Sequence, residues 1–304
     1  MKTLVKTVFI ASMLLFASTG LAQTDVDDVS DVRDVNEELK LAAVEALITA
    51  PDDKALPLVS KVLAGNHSTE VKEAALFILS QISNPEAEST LLKFATEESG
   101  ELQLEAIRMI GIGGGAGMSN LKGIYDSGNS DAREAVLEAF MIAGDKQAVF
   151  EIAKIAEGDD FEEAVEMLAV MGAQDELRQL RSTKGASEAL IEACAISGDF
   201  ECLQELAADD SNIELQTDAI EAMGIVGGDQ VDATLIEIYK NAENEDIREA
   251  ALDGLMISGN DTGLLELYRS SDDPSEKKEL LEYLVMTGSD EVWAIIDSAL
   301  DGDQ

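Results

Sequence analysis

Apolar side chains recur along this chain at the spacing of one helical face. In residues 131–145, "DAREAVLEAFMIAGD", Ala132, Ala135, Val136, Ala139, Phe140 and Ala143 fall on a single stripe at i, i+3, i+4, i+7, i+8 and i+11. Leu137, Met141 and Ile142 lie off that stripe and are apolar too, as a helix requires when neighbours cover it on more than one side. The stripe stops at Gly144, and a second amphipathic stretch follows. Asp131 with Glu134, and Asp246 with Glu249, have the spacing of capping boxes, Asp standing for the usual Ser or Thr. The pattern predicts a unit of helix, short turn, helix.

The unit repeats. "DIREAALDGLMISGN" at 246–260 matches 131–145 in register without a gap. With the turn residue as a common column, the chain reads Pro51, Ser83, Gly114, Gly144, Gly172, Gly198, Gly227, Gly259 and Gly288, spaced 26 to 32 residues apart. All are residues that stop helices or make turns. Four positions earlier stand Leu47, Leu79, Ile110, Phe140, Leu168, Cys194, Met223, Leu255 and Leu284, every one apolar. Eight earlier stand Ala43, Ala75, Ala106, Val136, Ala164, Leu190, Ala219, Ala251 and Leu280, an alanine-rich column suited to close helix contact. Eight after the turn the column is apolar except for Lys122, which Leu121 replaces if the register slips by one.

One hairpin cannot bury its own apolar faces, but nine stacked in series form a continuous elongated core. The expected fold is all-α: an α-solenoid of about nine hairpins, roughly 80 Å long at about 8–10 Å per packed helix. Its concave surface is expected from the second helix of each hairpin. The window "MIGIGGGAG" at 109–117 looks at first like a phosphate-cradling loop. A helix precedes its glycines where a dinucleotide site needs a strand, and Gly114 falls in the turn column, so it reads as a turn.

The stretches "VKEAALFILSQISNPEAESTLLKFA" at 71–95, "AREAVLEAFMIAGDKQAVFEIAKIA" at 132–156 and "IREAALDGLMISGNDTGLLELY" at 247–268 resemble HEAT repeats, in particular the short HEAT-like repeats of phycobilisome lyases. The resemblance covers about residues 36–300. It implies an interaction surface as the usual role. It also admits a lyase or a small-ligand chaperone. Iron hydroxylases with such repeats use His-Glu pairs, and this chain has none.

Charge narrows the partners. There are 62 acidic and 21 basic residues, for a net charge of −41. Nucleic acid is a poor partner, because phosphate binding needs clustered Lys and Arg. A protein with a cationic segment is steered toward such a surface. The same acidity also serves solubility, adaptation to salt, or a structural role in envelope stress. Residues 1–22, "MKTLVKTVFIASMLLFASTGLA", have two lysines, an apolar stretch and small residues before Gln23, the pattern of a cleaved signal peptide. Residues 23–35 read as an acidic linker arm and 36–304 as the repeat array. The expected location is periplasmic or secreted, in a bacterium, with no membrane insertion after cleavage.

Catalytic chemistry has few candidates. The one histidine, His67, sits in a loop between the first two hairpins, and no metal or cofactor site is expected. Cys194 and Cys202 lie four before and four after Gly198, on inward columns of one hairpin. They are either two small buried hydrophobes or a disulfide, which export favours. The leading expectation is an exported, non-enzymatic scaffold that binds another protein along its second helices. Candidate contacts are Glu151 and Lys154 in the fourth hairpin and Glu237 in the seventh. Tyr125, Tyr239 and Tyr268 end three second helices and either anchor the partner or cover neighbouring repeats.

Overall fold

The computed structural model describes residues 30–300 apart from Ser289. Among them run eighteen α-helices in nine hairpins. They are α1 (Ser30–Glu45) with α2 (Asp52–Ala64), α3 (Thr69–Gln81) with α4 (Pro85–Glu97), and α5 (Glu101–Gly113) with α6 (Met118–Ser127). Next come α7 (Ser130–Ala143) with α8 (Lys146–Ala153), α9 (Asp159–Val170) with α10 (Gln174–Lys184), and α11 (Glu188–Ile196) with α12 (Phe200–Ala207). The last three are α13 (Ile213–Val226) with α14 (Asp229–Asn241), α15 (Glu245–Ile257) with α16 (Asp261–Ser270), and α17 (Pro274–Thr287) with α18 (Asp290–Leu300). No helix of the described residues is long and apolar enough to cross a membrane. The expected leader and most of the expected arm lie outside the described residues. α1 starts at Ser30, inside the segment expected as an arm.

All nine turn residues fall between the two helices of a hairpin, and the seven glycines among them all have positive φ, from 63° to 73°. At Gly144 the reason is explicit. Its N–H bonds the Met141 carbonyl at 3.0 Å, and the next N–H, of Asp145, reaches back to the Phe140 carbonyl at 2.9 Å. This Schellman closure needs a left-handed residue, which glycine adopts without strain. Asp145 then caps α8 by accepting from the Ala148 N–H at 3.0 Å. Phe140, four before the turn, thus serves both the core and the closure. The glycine-rich window is a turn as expected. Gly113 ends α5, Gly114 caps it, and Gly115–Gly117 form one turn of 3-10 helix. That extra turn carries the slip that buries Leu121 in place of Lys122.

The helix starts differ from expectation. The cap of α7 is Asn129, whose Oδ1 accepts from the Ala132 N–H at 3.1 Å, and the cap of α15 is Asn244, accepting from the Asp246 N–H at 2.8 Å. Asn caps as well as Asp, and starting two residues earlier places Asp131 and Asp246 in the first turn, where the helix dipole favours them. The expected capping boxes are therefore absent, and Glu134 and Glu249 are free to face outward.

The columns four and eight before the turn are buried in hairpins two to nine. The first hairpin departs: Ala43 is exposed, Leu47 is half-buried and Val44 is buried instead. Its last turn winds as a 3-10 helix over Ala46–Thr49, which rotates the stripe, and among the described residues no hairpin precedes it to cover the other side. The core is also not one continuous body. One apolar cluster runs from Val44 to Ala193 and a second from Ile191 to Val292, and the two meet on α11.

Successive first helices pack against one another through all eight junctions, whereas successive second helices meet closely at three. Small residues set this difference. A Cβ on Gly111 would stand 2.5 Å from the Ala139 carbonyl oxygen, and one on Gly224 2.3 Å from that of Gly254, so α5 lies backbone-close to α7 and α13 to α15. The second helices stand apart: an opening of ≈ 390 Å³ separates α16 from α18, spanned by Arg269 to Glu291 at 2.6 Å. A stack packed closer on one side bends toward that side. The first helices are thus the more closely packed side of the stack, called the inner face below, whereas the expectation places the interaction surface on the second helices.

Candidate interaction surface

The inner face is built from two columns that sequence reading left unassigned. Six residues before the turn stand Glu138, Glu166, Glu192, Glu221, Asp253 and Glu282 in hairpins four to nine. Two before it stand Ile142, Val170, Ile196, Ile225, Ile257 and Met286, between 46% and 62% exposed. The columns are four residues apart, one helical turn, so each first helix presents a carboxylate and then an apolar side chain on one line. The alanine and core columns, at four and eight before the turn, point the opposite way into the stack. Leu137 meets the expectation for off-stripe apolar residues, being fully buried, but Ile142 does not: the groove side of α7 has no covering helix.

The carboxylates feel one another across hairpins. Burial holds Glu163 above the ordinary carboxylate range, and the charges of Glu134, Asp160, Asp159 and Glu166 add to it. Burial raises Glu221 as well, followed by Asp253, Asp218 and Glu249. Burial again leads for Asp218, followed by Glu188 and Glu214. Glu73, Glu105 and Glu279 are raised by burial in the same way, each with carboxylates of an adjacent first helix contributing. Few cations relieve this field. Arg108 pairs with Glu138, and Arg133 with Asp160 at 2.8 Å. A groove of ≈ 650 Å³ lies between α9 and α11, lined by Asp159, Glu162, Glu163, Glu166, Glu188 and Glu192, with Ile196 among its lining. Among the described residues no group of three or more His, Cys, Asp or Glu is placed to hold a metal ion.

The six residues expected to bind a partner sit on second helices, the outer side, and do not converge. Tyr125 and Tyr239 are buried, at 6% and 4% exposure, and Tyr268 is half-buried against the core with the Lys277 ammonium 5.6 Å from its ring centre. The tyrosines cover neighbouring repeats, the packing alternative, because the gaps between fanned second helices need large side chains. Glu151 of α8 and Lys154, which caps the end of that helix, are exposed and pair with each other at 2.8 Å. Glu237 is exposed on α14. His67 lies half-buried in the loop between α2 and α3, close over Gly65.

Cys194 and Cys202 are joined in a disulfide across the turn of the sixth hairpin, where the two core clusters meet. The same junction holds Asp199, 3% exposed, which caps α12 and takes both its oxygens to Arg178 of α10 at 2.8 and 2.9 Å. The disulfide thus ties the sixth hairpin within the second cluster, and the Arg178–Asp199 pair links the fifth hairpin to the sixth.

Residues 30–111, the first two hairpins and most of α5, match the family described as HEAT repeats. No curated protein matches the sequence. A solved structure of the complex of CpcE and CpcF of phycocyanin lyase from Nostoc sp. PCC7120 is similar at 17% identity, covering 76% of this chain and 94% of that one with a TM-score of 0.33. The family match on the first hairpins is continued by the same phased geometry through all nine, giving an all-α solenoid of HEAT-like hairpins.

Proposed function

We propose that the protein is an exported, non-enzymatic scaffold that binds another protein, through a cationic segment, along its inner face. The observation that carries this reading is the row of carboxylates coupled from hairpin to hairpin between Glu73 and Glu279. Burial raises these carboxyl groups first and the like charges beside them add to it, storing repulsion that a basic partner relieves. Folding alone gives no reason to gather them there, since the outer faces offer dispersed positions at lower cost. Export rests on the leader pattern before Gln23.

The test is affinity isolation of the mature protein at low and raised salt, with mass spectrometry of what is retained. The expected result is a protein with a basic segment, retained at low salt and released as screening grows. Capture of nothing at low salt overturns the scaffold reading. A tightly bound coloured or small organic ligand on the purified protein turns the reading toward a lyase or small-ligand chaperone. Sequencing the N-terminus of the exported protein checks cleavage before Gln23.

A further inference from the structure

Resting on the scaffold reading, we infer that the partner's basic segment also carries apolar side chains at the pitch of the hairpins, and that they seat on the ladder Ile142, Val170, Ile196, Ile225, Ile257 and Met286. These six side chains occupy the same place in six successive hairpins and are all about half exposed or more. Their recurrence is what distinguishes them from scattered surface hydrophobes. A helix surface turned to water has no use for an apolar residue at one fixed phase six times over. The corresponding residue of the third hairpin, Ile112, is half-buried and packed on the core, so the exposed ladder begins at the fourth.

Charge complementarity selects the occupant. Each exposed rung stands one helical turn beyond a carboxylate of the column six before the glycine, so an apolar side chain seated on a rung has a negative charge beside it. A second copy of this chain brings 62 acidic residues against 21 basic ones and is repelled. An anionic lipid surface is repelled likewise. A basic segment gains twice, by desolvating the isoleucines and by neutralising the carboxylates. Adjacent first helices lie about 8–10 Å apart. A polyproline II segment advances about 3.1 Å per residue with three residues per turn, so every third side chain faces the same way and meets a rung. The segment therefore carries an apolar residue in every third position and lysines or arginines between.

The experiment compares two peptides of equal charge, one repeating Leu-Lys-Lys and the other Ser-Lys-Lys, on the mature protein and on a variant with Ile142→Ser, Ile196→Ser and Ile225→Ser. These positions are exposed, so the variant keeps its fold, which its helical melting curve checks. The expected result is that the leucine peptide binds native protein about tenfold or more tighter than the serine peptide, and that the variant closes the gap. Raised salt weakens both peptides and leaves the gap. Equal binding of the two peptides to native protein overturns the inference, as does a gap that survives in the variant or the absence of binding by either. If affinity isolation recovers a partner that the variant holds as firmly as native protein, the ladder is refuted while the scaffold reading stands. If native protein recovers none, the scaffold reading itself falls.

Discussion

In the third to fifth hairpins, Arg133 of α7 reaches Asp160 at 2.8 Å with its guanidinium 5.8 Å from the ring centre of Tyr125, and the Tyr125 hydroxyl is left buried without a partner. In the seventh to ninth, the same columns hold Arg248, Glu276 and Tyr239. There the tyrosine donates to the carboxylate at 2.8 Å, and the arginine Nε is buried without a partner, as the Nε of Arg133 is too. One methylene separates the two arrangements. Glu276 carries its carboxylate to the ends of the second helices, where the Ser271 hydroxyl donates to it as well. Asp160 stops short, beside Arg133. Two copies of one repeat thus satisfy different members of the same triad. Near-identical hairpins share a fold through their apolar columns, while their polar pairings follow from single side chains.

The largest effect that probes this comparison lies in the shared core. Phe140 and Leu255 occupy one column, and both are buried. Phe140→Ala is expected to cost about 3–5 kcal/mol and Leu255→Ala about 2–5 kcal/mol. Because the array has two apolar clusters, each loss should appear first in its own half. Hydrogen exchange resolved along the chain checks this. Equal loosening of both halves by either variant argues that the junction at α11 transmits stability fully.

That junction is the next place to press. The disulfide closes a sequence separation of 8 residues, and replacing both cysteines by Ala is expected to cost about 2–3 kcal/mol. Both sulfurs lie in the second cluster, so chemical denaturation of the variant should loosen that cluster first, while Arg178–Asp199, Gln174–Ser197 and Arg181–Glu205 still tie the fifth hairpin to the sixth. A single transition shifted by the full amount would mean that the junction keeps the halves cooperative without the disulfide.

The apolar columns could be read from sequence because turn glycine, core residue and alanine keep a fixed phase, and because Gly144 and Phe140 are bound by one closure. The inner face could not. Curvature is set by how closely helices approach, and although the alanine column was visible, the backbone contacts at Gly111 and Gly224 depend on neighbouring repeats. The same limit hid the ladder. Leu137 and Ile142 both look like off-stripe core, and only the stacking direction buries the first and exposes the second. The acidity was plain in composition, but which carboxylates face one another across adjacent first helices follows only from the stacking.

A smaller effect tests the polar triads directly. Tyr239→Phe removes a hydrogen bond to a carboxylate and is expected to cost about 0.5–1.5 kcal/mol. Tyr125→Phe removes a buried hydroxyl that has no partner, so it is expected to change stability by less than about 0.5 kcal/mol or to raise it. Thermal melts of the two variants beside native protein decide the matter. Equal losses would show that Tyr125 is satisfied after all and that the two triads are energetically alike.

The smallest effect concerns the carboxylate row, and here the sign matters. A carboxyl group whose pKa is raised in the folded state binds its proton at a higher pH than the unfolded chain does. As pH falls from neutral toward the unfolded value of about 4.3, the folded state therefore gains protons first, and stability rises. Glu73, Glu105, Glu163, Asp218, Glu221 and Glu279 all contribute in that direction. The melting temperature is expected to climb by a few degrees at most between pH 7.5 and pH 5, and raised salt at neutral pH should mimic the change by screening. The two halves again differ in detail. Burial and three carboxylates raise Glu221, whereas Arg108 offsets part of the field at Glu105. Glu221→Gln should therefore raise the neutral-pH melting temperature more than Glu105→Gln, and should flatten the pH dependence more. A melting temperature that falls steadily from pH 7.5 to pH 5 would mean that paired carboxylates dominate the linkage and that the inner face stores no repulsion for a basic partner to relieve.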